Sequence, residues 1–310
     1  MTVSDLTPLM AMAQSALYAE PNRHAHYLEC TWPVDQPVSA LQEALQHALQ
    51  PCAGVHIAVA FSLTTWQRLN PNWQPASLRE FVTLQGVNGE TMPSTQADVW
   101  FWLHGDDRGD VMAGVLQVHH AIRDVLLTQR EVSGFKNREA RDLTGFVDGT
   151  ANPKLDKRGD AAQIPIGQEG AGGSYVLTQQ WRHRLSAFQQ LTEDEQAQVI
   201  GRTKQDNIEL TGDAMPPTSH VSRTDVKLDG VAQKIWRRST PYGGAEDHGL
   251  YFIGFACELN RLDIQLQRML GNTGDGYSDH LMRYSQAVSG AYWFMPAQVD
   301  LNAILSQSFV

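Results

Sequence analysis

The sequence predicts an α+β fold made of two ferredoxin-like halves, and its length and the order of its elements support this. A chain of 310 residues suits roughly two domains or one large one. In the first half, the predicted elements run β-α-β and again β-α-β within about 110 residues, which is the split βαβ order. The second half repeats this order with a long insertion, without a residue-level repeat. We therefore predict an N-terminal half at residues 1–140 and a C-terminal half at 141–310; the alternative is one large α/β domain with a single mixed sheet.

The elements of the first half follow from the spacing of its apolar residues. Apolar side chains recur at helical spacing from Val38 to Leu49 and again from Val111 to Leu126. Short runs rich in β-branched and aromatic residues, bounded by proline or glycine, indicate strands. The predicted order is strand 25–34, helix 38–49, strand 54–61, helical turn 64–69, loop 71–95, strand 97–104, helix 111–127 and strand 128–137.

The second half is predicted by the same rules. Its clearest strands are GSYVLTQQWR and LYFIGFACE, which are rich in apolar and aromatic residues. The segment 208–218 is polar and contains prolines, so it is predicted as loop. The predicted order is strand 173–182, helices 185–190 and 193–200, loop 208–218, strands 233–239 and 250–258, helix 262–270 and strand 291–296.

Composition excludes several classes of function. The net charge of −10 makes nucleic acid or an anionic membrane a poor partner, because both need clustered Lys and Arg. Three widely spaced cysteines without a CxxC pair indicate reduced thiols, and the absence of CxxCH excludes covalent c-type haem attachment. No GxxxxGK[ST] or GxGxxG motif supports nucleotide binding. The stretch from Met1 to Glu20 lacks a basic region and a long apolar run, so we expect a cytoplasmic protein.

The most informative segment is GFVDGTANP, which runs from Gly145 to Pro153 near the middle of the chain. Its glycines tolerate positive φ and allow other groups to approach the backbone. Asn-Pro is a turn signal. The segment therefore indicates a tight, irregular loop that holds Asp148 in a defined direction; the alternative is an ordinary surface turn.

Basic residues and one histidine complete the candidate chemistry. His220 follows two prolines and precedes an apolar residue, so its imidazole can be presented rigidly; a single axial histidine suffices for haem, and the alternative is a loop histidine. Arg237 and Arg238 are adjacent on a predicted strand, so one can point inward while the other meets solvent, unless both lie on an exposed edge. Arg202 and Lys204 follow a helix and can meet carboxylates or phosphates.

Together these motifs resemble the dye-decolourising peroxidases, most closely the cytoplasmic bacterial B-type subgroup. The matching pieces occur in family order, and the first half matches mainly in its order of strands and helices. They are GFVDGTANP, GGSY at 172–175, IGRTK at 200–204, TSH at 218–220, residues 235–239 and GLYF at 249–252. The resemblance implies a dimeric α+β barrel type of fold, with haem b held mainly by the second half.

On one side of the haem, the resemblance implies that His220 is the proximal iron ligand. Asp279 would accept a hydrogen bond from its imidazole and make the ring more basic. Asp275 lies close in the same loop and is the alternative to Asp279 for this role.

On the other side, the resemblance implies that Asp148 is the distal acid and base and Arg237 the distal arginine, both next to the cofactor. Ser239 would be a nearby polar group. Peroxide must lose a proton from one oxygen and gain one on the other, which a single carboxylate can provide. An arginine would stabilise the charge that develops as the O–O bond breaks. The other residues implied in haem binding are Arg202, which would meet a propionate, Gly149, Thr150 and Phe252.

The implied activity is a haem peroxidase that reduces hydrogen peroxide and oxidises dyes, phenols and other small aromatic donors through a ferryl intermediate. The alternatives are a haem- or porphyrin-handling protein that binds haem or releases its iron, and an interaction module without haem. We also expect a homo-oligomer, at least a dimer. The natural reductant and any encapsulating shell cannot be read from the sequence.

Overall fold

The computed structural model describes residues 7–20 and 22–306. The expectation for the stretch from Met1 to Glu20 therefore lies partly outside the described residues. The helices are α1 (Val38–Ala48), α2 (Leu63–Leu69), α3 (Arg108–Ile122), α4 (Arg158–Ala162), α5 (Leu185–Phe188), α6 (Glu193–Ile200), α7 (His220–Thr224), α8 (Leu259–Met269) and α9 (Gln298–Ser306). Within these ranges, no helix has both the length and the apolar character needed to cross a membrane.

The strands come mainly from the β-branched and aromatic runs, and several very short ones form hairpins or edges. They are β1 (His24–Thr31), β2 (Val55–Phe61), β3 (Leu84–Gln85), β4 (Thr91–Met92), β5 (Val99–Gly105), β6 (Leu127–Phe135), β7 (Ser174–His183), β8 (Lys227–Leu228), β9 (Val231–Ala232), β10 (Trp236–Arg237), β11 (Thr240–Gly243), β12 (His248–Ala256), β13 (Ser285–Ala287) and β14 (Ala291–Met295).

Eight of these strands close into an antiparallel barrel with the order β12-β11-β6-β1-β5-β2-β14-β7, and β7 pairs back onto β12. The first half contributes β6-β1-β5-β2 and the second β11-β12-β7-β14, so each half is a four-stranded ferredoxin-like sheet. The two sheets meet at two narrow seams, where Tyr242 pairs with Gly134 and Phe294 pairs with Phe61. The predicted fold class is therefore confirmed. The strands do form one continuous sheet, but all of its pairings are antiparallel, so the alternative of a mixed sheet is wrong.

The barrel interior is filled with aromatic side chains. Every strand of the ring contributes to one buried cluster, which includes Tyr27, Trp100, Trp102, Tyr251 and Trp293. A second cluster lies on the outer faces of the strands, beneath the helices. Because side chains alternate along a strand, each central strand serves both clusters.

This alternation also creates the wall of the main cavity. On β12, Tyr251 and Ile253 point into the barrel, whereas Leu250 and Phe252 line the cavity outside it. The candidate site therefore lies against the outer face of the C-terminal sheet. The division at residue 140 stays a prediction.

Several predicted boundaries need correction. The helix predicted at 111–127 runs from Arg108 to Ile122, because Asp107 accepts hydrogen bonds from the backbone of Gly109 and Asp110 and caps its start. The strand predicted at 233–239 is paired only at Trp236–Arg237.

Short or weakly apolar elements were missed. Helix α9 buries only Leu301 and Ile304, and it packs against α1 near the end of the chain. Strand β13 and helices α4 and α7 are each five residues or shorter. Such short segments carry too little periodic pattern to be recognised from sequence.

Candidate functional site

A cavity of about 460 Å³ lies against β7 and β12, and it collects most of the predicted site residues. Its wall is largely apolar and is formed by Leu177, Trp181, Leu250, Phe252 and Leu266. A concave, mostly apolar cavity with a few polar groups is typical of a cofactor or ligand site. Among the residues that line it are Asp148, Gly149, Thr150, Arg202, His220, Arg237 and Phe252, seven of the predicted site residues.

The loop that carries Asp148 is held in the way its glycines predict. Gly145 and Gly149 have φ of +93° and +77°, where a side chain would be strained. At Gly145, an added Cβ would also meet Cε of Lys204 at 2.7 Å. Arg141 ties the loop to its neighbour by donating to the carbonyl oxygens of Gly145 and Lys204. The prediction of a tight, irregular loop is confirmed.

Asp148 and Arg237 face each other without a close hydrogen bond. Nη1 of Arg237 lies 4.0 Å from Oδ1 of Asp148, and the two side chains are 19% and 26% exposed. Oδ1 of Asp148 instead accepts a hydrogen bond of 2.7 Å from the backbone of Gly149. Asn152 belongs to the same loop as Asp148 and ties that loop to Arg237, because its side-chain amide exchanges two hydrogen bonds of 2.9 Å with the backbone of Arg237. Among the described residues, neither the guanidinium of Arg237 nor Oδ2 of Asp148 makes a hydrogen bond, so both groups stay available toward the cavity.

The expectation that the second arginine meets solvent is wrong. Arg238 is buried, and its guanidinium donates to the carbonyl oxygens of Leu17 and Ala19. It also lies over the rings of Trp102 and Trp236 at 5.0 and 5.3 Å. Burial lowers the pKa of Arg238 to about 10. The strand alternates as predicted, but the face opposite the cavity packs on the barrel and the N-terminal segment.

His220 is the first residue of the short helix α7, whose start is capped by Ser219. Its Nδ1 lies 2.7 Å from Oδ2 of Asp279, a carboxylate that is completely buried. Within the described part of the chain, its Nε2 makes no hydrogen bond, and the ring lines the cavity. His183 also lines the cavity, but both of its ring nitrogens are engaged, by Ser285 and Asp142. His220 is therefore the cavity histidine with a nitrogen available for a ligand.

Asp275 has a different partner. Its carboxylate accepts two hydrogen bonds from the guanidinium of Arg223, a side chain that is 2% exposed. Arg268 in turn donates to the backbone carbonyls of Ser222 and Arg223. These contacts fix α7 against the end of α8. Of the two candidate acids, the structure places Asp279 next to the imidazole and Asp275 in the support of the helix.

The remaining predicted residues lie around the rim. Arg202 is paired with Asn207 and Glu209, and Thr150 also hydrogen-bonds Asn207. Ser239 does not line the main cavity. It borders a smaller pocket of about 170 Å³, which shares Asp148 and Arg237 with the cavity, and its hydroxyl accepts from the backbone of Ile253.

Sequence reasoning missed two polar features of this site. Gln179 is 1% exposed and lines the cavity, yet its amide nitrogen has no hydrogen-bond partner among the described residues. The signal available in the sequence was a glutamine on a strand face whose flanking side chains, Leu177 and Trp181, are apolar. Asp142 accepts hydrogen bonds from His183 and Thr144, which anchors the start of the Asp148 loop to β7.

Comparison with known proteins identifies the family. Models of the Dyp-type peroxidase N-terminal and C-terminal regions match residues 5–136 and 139–300. The chain is 33% identical to a dye-decolorizing peroxidase of Mycobacterium tuberculosis, over 79% of this chain and 74% of that protein. The chain belongs to the dye-decolourising peroxidase family.

Solved structures agree with this assignment. A dye-decolorizing protein from Vibrio cholerae matches with a TM-score of 0.83 and 35% identity, covering 95% of this chain and 98% of the other. A variant of Rhodococcus jostii DypB in complex with heme matches with a TM-score of 0.86 and 29% identity, covering 96% and 100%. Proteins named deferrochelatase, such as that of Yersinia pestis, are more distant, at 24% identity over 67% of this chain. This dye-decolourising peroxidase therefore depends on haem and uses hydrogen peroxide to oxidise aromatic donors.

The cavity of this peroxidase fits haem. Its apolar walls suit a flat macrocycle, and the free nitrogen of His220 suits a single axial ligand. The unpartnered amide of Gln179 and the guanidinium of Arg202 offer donors to acidic groups of a porphyrin. Among the described residues, no group of three or more His, Cys, Asp or Glu is placed to hold a metal ion.

Proposed function

We propose that haem binds in the main cavity, held mainly by the C-terminal half, and that Nε2 of His220 would be the protein ligand to its iron. The observation that carries this is the cavity itself, which brings a free imidazole nitrogen, Asp148 and Arg237 together against an apolar wall. Bound haem would supply a redox-active iron for the reduction of peroxide and the oxidation of electron donors.

His220 and Asp279 act as a unit. The buried carboxylate accepts a hydrogen bond from Nδ1–H, which fixes the tautomer and leaves Nε2 as the ligand atom. The same hydrogen bond raises the basicity of the imidazole. Arg223 and Asp275 hold the helix that carries His220, so the ring keeps one orientation.

Asp148 moves the proton and Arg237 stabilises charge. The carboxylate accepts the proton that peroxide loses and returns it to the departing oxygen, which leaves as water. The guanidinium, 4.0 Å away, stabilises the negative charge that develops as the O–O bond breaks. Thr150 and Phe252 border the cofactor. Ser239 is reached from the smaller pocket and acts as a polar neighbour of Arg237.

The test is a haem titration combined with a dye assay. Adding haem to haem-free protein should give a Soret band that saturates at one haem per chain, and the loaded protein should bleach an aromatic dye only with hydrogen peroxide. Protein that binds no haem would contradict the proposed site. Protein that binds haem but does not turn over peroxide would favour a haem-handling role. The homo-oligomer and the cytoplasmic location stay predictions, which light scattering and cell fractionation would address.

A further inference from the structure

A buried acid and a buried phenol meet inside the barrel, and neither of them lines the main cavity. The hydroxyl of Tyr251 on β12 donates to Oε1 of Glu29 on β1 at 2.7 Å. Tyr251 is fully buried and Glu29 is 2% exposed. The other carboxylate oxygen of Glu29 accepts from Arg130 at 3.3 Å. A carboxylate in an apolar interior is costly, so this pairing needs an explanation beyond packing.

Tyr251 lies on β12, which forms part of the cavity wall, but its side chain is on the face of the strand away from the cavity. Its neighbour Phe252 lines the cavity, and alternation along β12 puts Tyr251 on the opposite face. The indole nitrogen of Trp100 donates to the Tyr251 hydroxyl oxygen at 3.2 Å. That oxygen therefore keeps a hydrogen-bond donor even when its own hydrogen has gone.

We propose that Tyr251 is an internal one-electron donor to the peroxide-generated oxidant in the cavity, with Glu29 as the acceptor of its proton. One electron passes from the phenol to that oxidant, which is reduced by one electron. The O–H bond of Tyr251 breaks, and its proton crosses to Oε1 of Glu29 along the existing hydrogen bond. A neutral phenoxyl radical remains. An aromatic donor later returns the electron, and Glu29 returns the proton.

Two neighbouring aromatic residues lack this arrangement. Tyr27 stacks on Tyr251 with ring centres 4.0 Å apart and is equally buried, but its hydroxyl pairs with the hydroxyl of Thr240, a much weaker base. Trp236 adjoins Arg237, but the guanidiniums of Arg158 and Arg238 both lie 5.3 Å from its ring centre. Cations over a ring oppose its oxidation, because they repel the positive charge that would form there.

The electrostatics of Glu29 support its role as the acceptor. Burial raises the pKa of Glu29, and this is opposed by the hydrogen bond from Tyr251 and by Arg130. A raised pKa makes the carboxylate a better base than an exposed one. The guanidinium of Arg130 keeps a counter-charge beside the acid before the proton arrives.

The experiment is rapid-freeze electron paramagnetic resonance of haem-loaded protein mixed with one equivalent of hydrogen peroxide and no donor. Incorporating ring-deuterated tyrosine into the protein narrows the signal if the radical is on a tyrosine, and this identifies the signal as tyrosyl. We expect the parent to show the signal, Tyr251→Phe to lose it and the matched Tyr27→Phe variant to keep it. Glu29→Gln, which retains an acceptor oxygen but takes up a proton poorly, should lose most of it.

Several outcomes would overturn the inference. These are no tyrosyl signal in the parent, an unchanged signal in Tyr251→Phe, a loss confined to Tyr27→Phe, or full retention in Glu29→Gln. Should Glu29→Gln not fold, as judged by its haem content, the parent is compared in light and heavy water, and radical formation that is not slower in heavy water rejects proton coupling. The inference rests on the proposed haem position. The Soret band tests the haem position separately from the role of Tyr251. If peroxide changes the Soret band but no tyrosyl signal forms, only the role of Tyr251 is rejected.

Discussion

The two sides of the cavity are built differently. We call the residues around the axial histidine, His220, Asp279 and Arg223, the His220 side, and Asp148 with Arg237 the Asp148 side. On the His220 side, Nδ1 of His220 lies 2.7 Å from Oδ2 of Asp279, and the side chains of Asp279 and Arg223 are 0% and 2% exposed. On the Asp148 side the two charged groups are 4.0 Å apart, about a fifth to a quarter exposed, and border two pockets.

This difference fits the role that we propose for each side. A ligand to iron needs one tautomer and one orientation throughout, and a buried, charge-assisted hydrogen bond provides both. An acid–base group must instead exchange a proton with a reactant, so its hydrogen-bonding capacity has to stay available. The Asp148 side is therefore fixed through its backbone, by Asn152 and the loop glycines, while its two side chains are joined only by an ion pair of 4.0 Å.

The largest effect is expected on the His220 side. His220→Ala removes the free ring nitrogen of the cavity, so the protein should lose most of its haem or hold it through a weak ligand. Haem content and the Soret band measure this, and His119→Ala on the exposed face of α3 is the control. A His220→Ala protein with unchanged haem content and Soret band would remove the proposed ligand.

The next largest effect is expected on the Asp148 side, where rates should change and haem content should not. Asp148→Asn should slow the reaction with peroxide by about 10²–10⁴-fold, because a general base is lost. Arg237→Leu should slow it by about 10²–10³-fold. The losses should not add in the double variant, since both groups act on one step. Stopped-flow absorption measures these rates.

Ser239→Ala should slow the reaction by less than either of these changes, because Ser239 borders only the smaller pocket. An Asp148→Asn protein that reacts with peroxide as fast as the parent at every pH would exclude Asp148 as the base. Arg237, or a water molecule that it holds, would then have to carry the proton transfer.

A smaller effect is expected from the partner of the ligand. Asp279→Asn should raise the Fe(III)/Fe(II) potential, because the lost negative charge favours reduced iron, and it should weaken haem retention by about 10–100-fold. Redox titration measures the first effect. Asp275→Asn is the matched control, since its carboxylate pairs with Arg223 rather than with the imidazole. An equal or larger shift in the Asp275 variant would move the role to Asp275.

The smallest effect concerns the anchor of the Asp148 loop. Burial by itself would raise the pKa of Asp142, but hydrogen bonds from His183 and Thr144 outweigh it and hold that pKa below its ordinary value of 3.8. A depressed folded-state pKa means that this contribution to stability is present above the ordinary value and is lost as the pH falls through the folded-state pKa.

Asp142→Asn should therefore lower the free energy of unfolding by about 1–3 kcal/mol at neutral pH. The difference from the parent should shrink as the pH falls below 3.8. Denaturant unfolding across this range measures it, and haem content should stay near that of the parent. A difference that persists unchanged in acid would show that the carboxylate charge is not the cause.

Local sequence determined the parts of the site that depend on neighbouring residues. Only glycine fits readily at the positive φ of Gly145 and Gly149, so the loop around Asp148 could be recognised directly. The two prolines before His220 indicated a rigidly presented imidazole. Alternating and helical periodicities gave the main strands and helices, because those patterns record which face is buried.

The tertiary structure decided what depends on residues that are far apart in the chain. Asp275 and Asp279 lie four residues apart in one loop, and only the packing of that loop against α7 places Asp279 beside the imidazole. Arg237 and Arg238 are adjacent in the sequence, but Arg237 lines the cavity and Arg238 is buried. The packing around this segment, which the two residues themselves do not encode, makes that difference. The Glu29–Tyr251 contact joins a strand of each half, β1 and β12, across 222 residues of sequence. No local pattern records such a contact, because it forms only when the two halves close around a common interior.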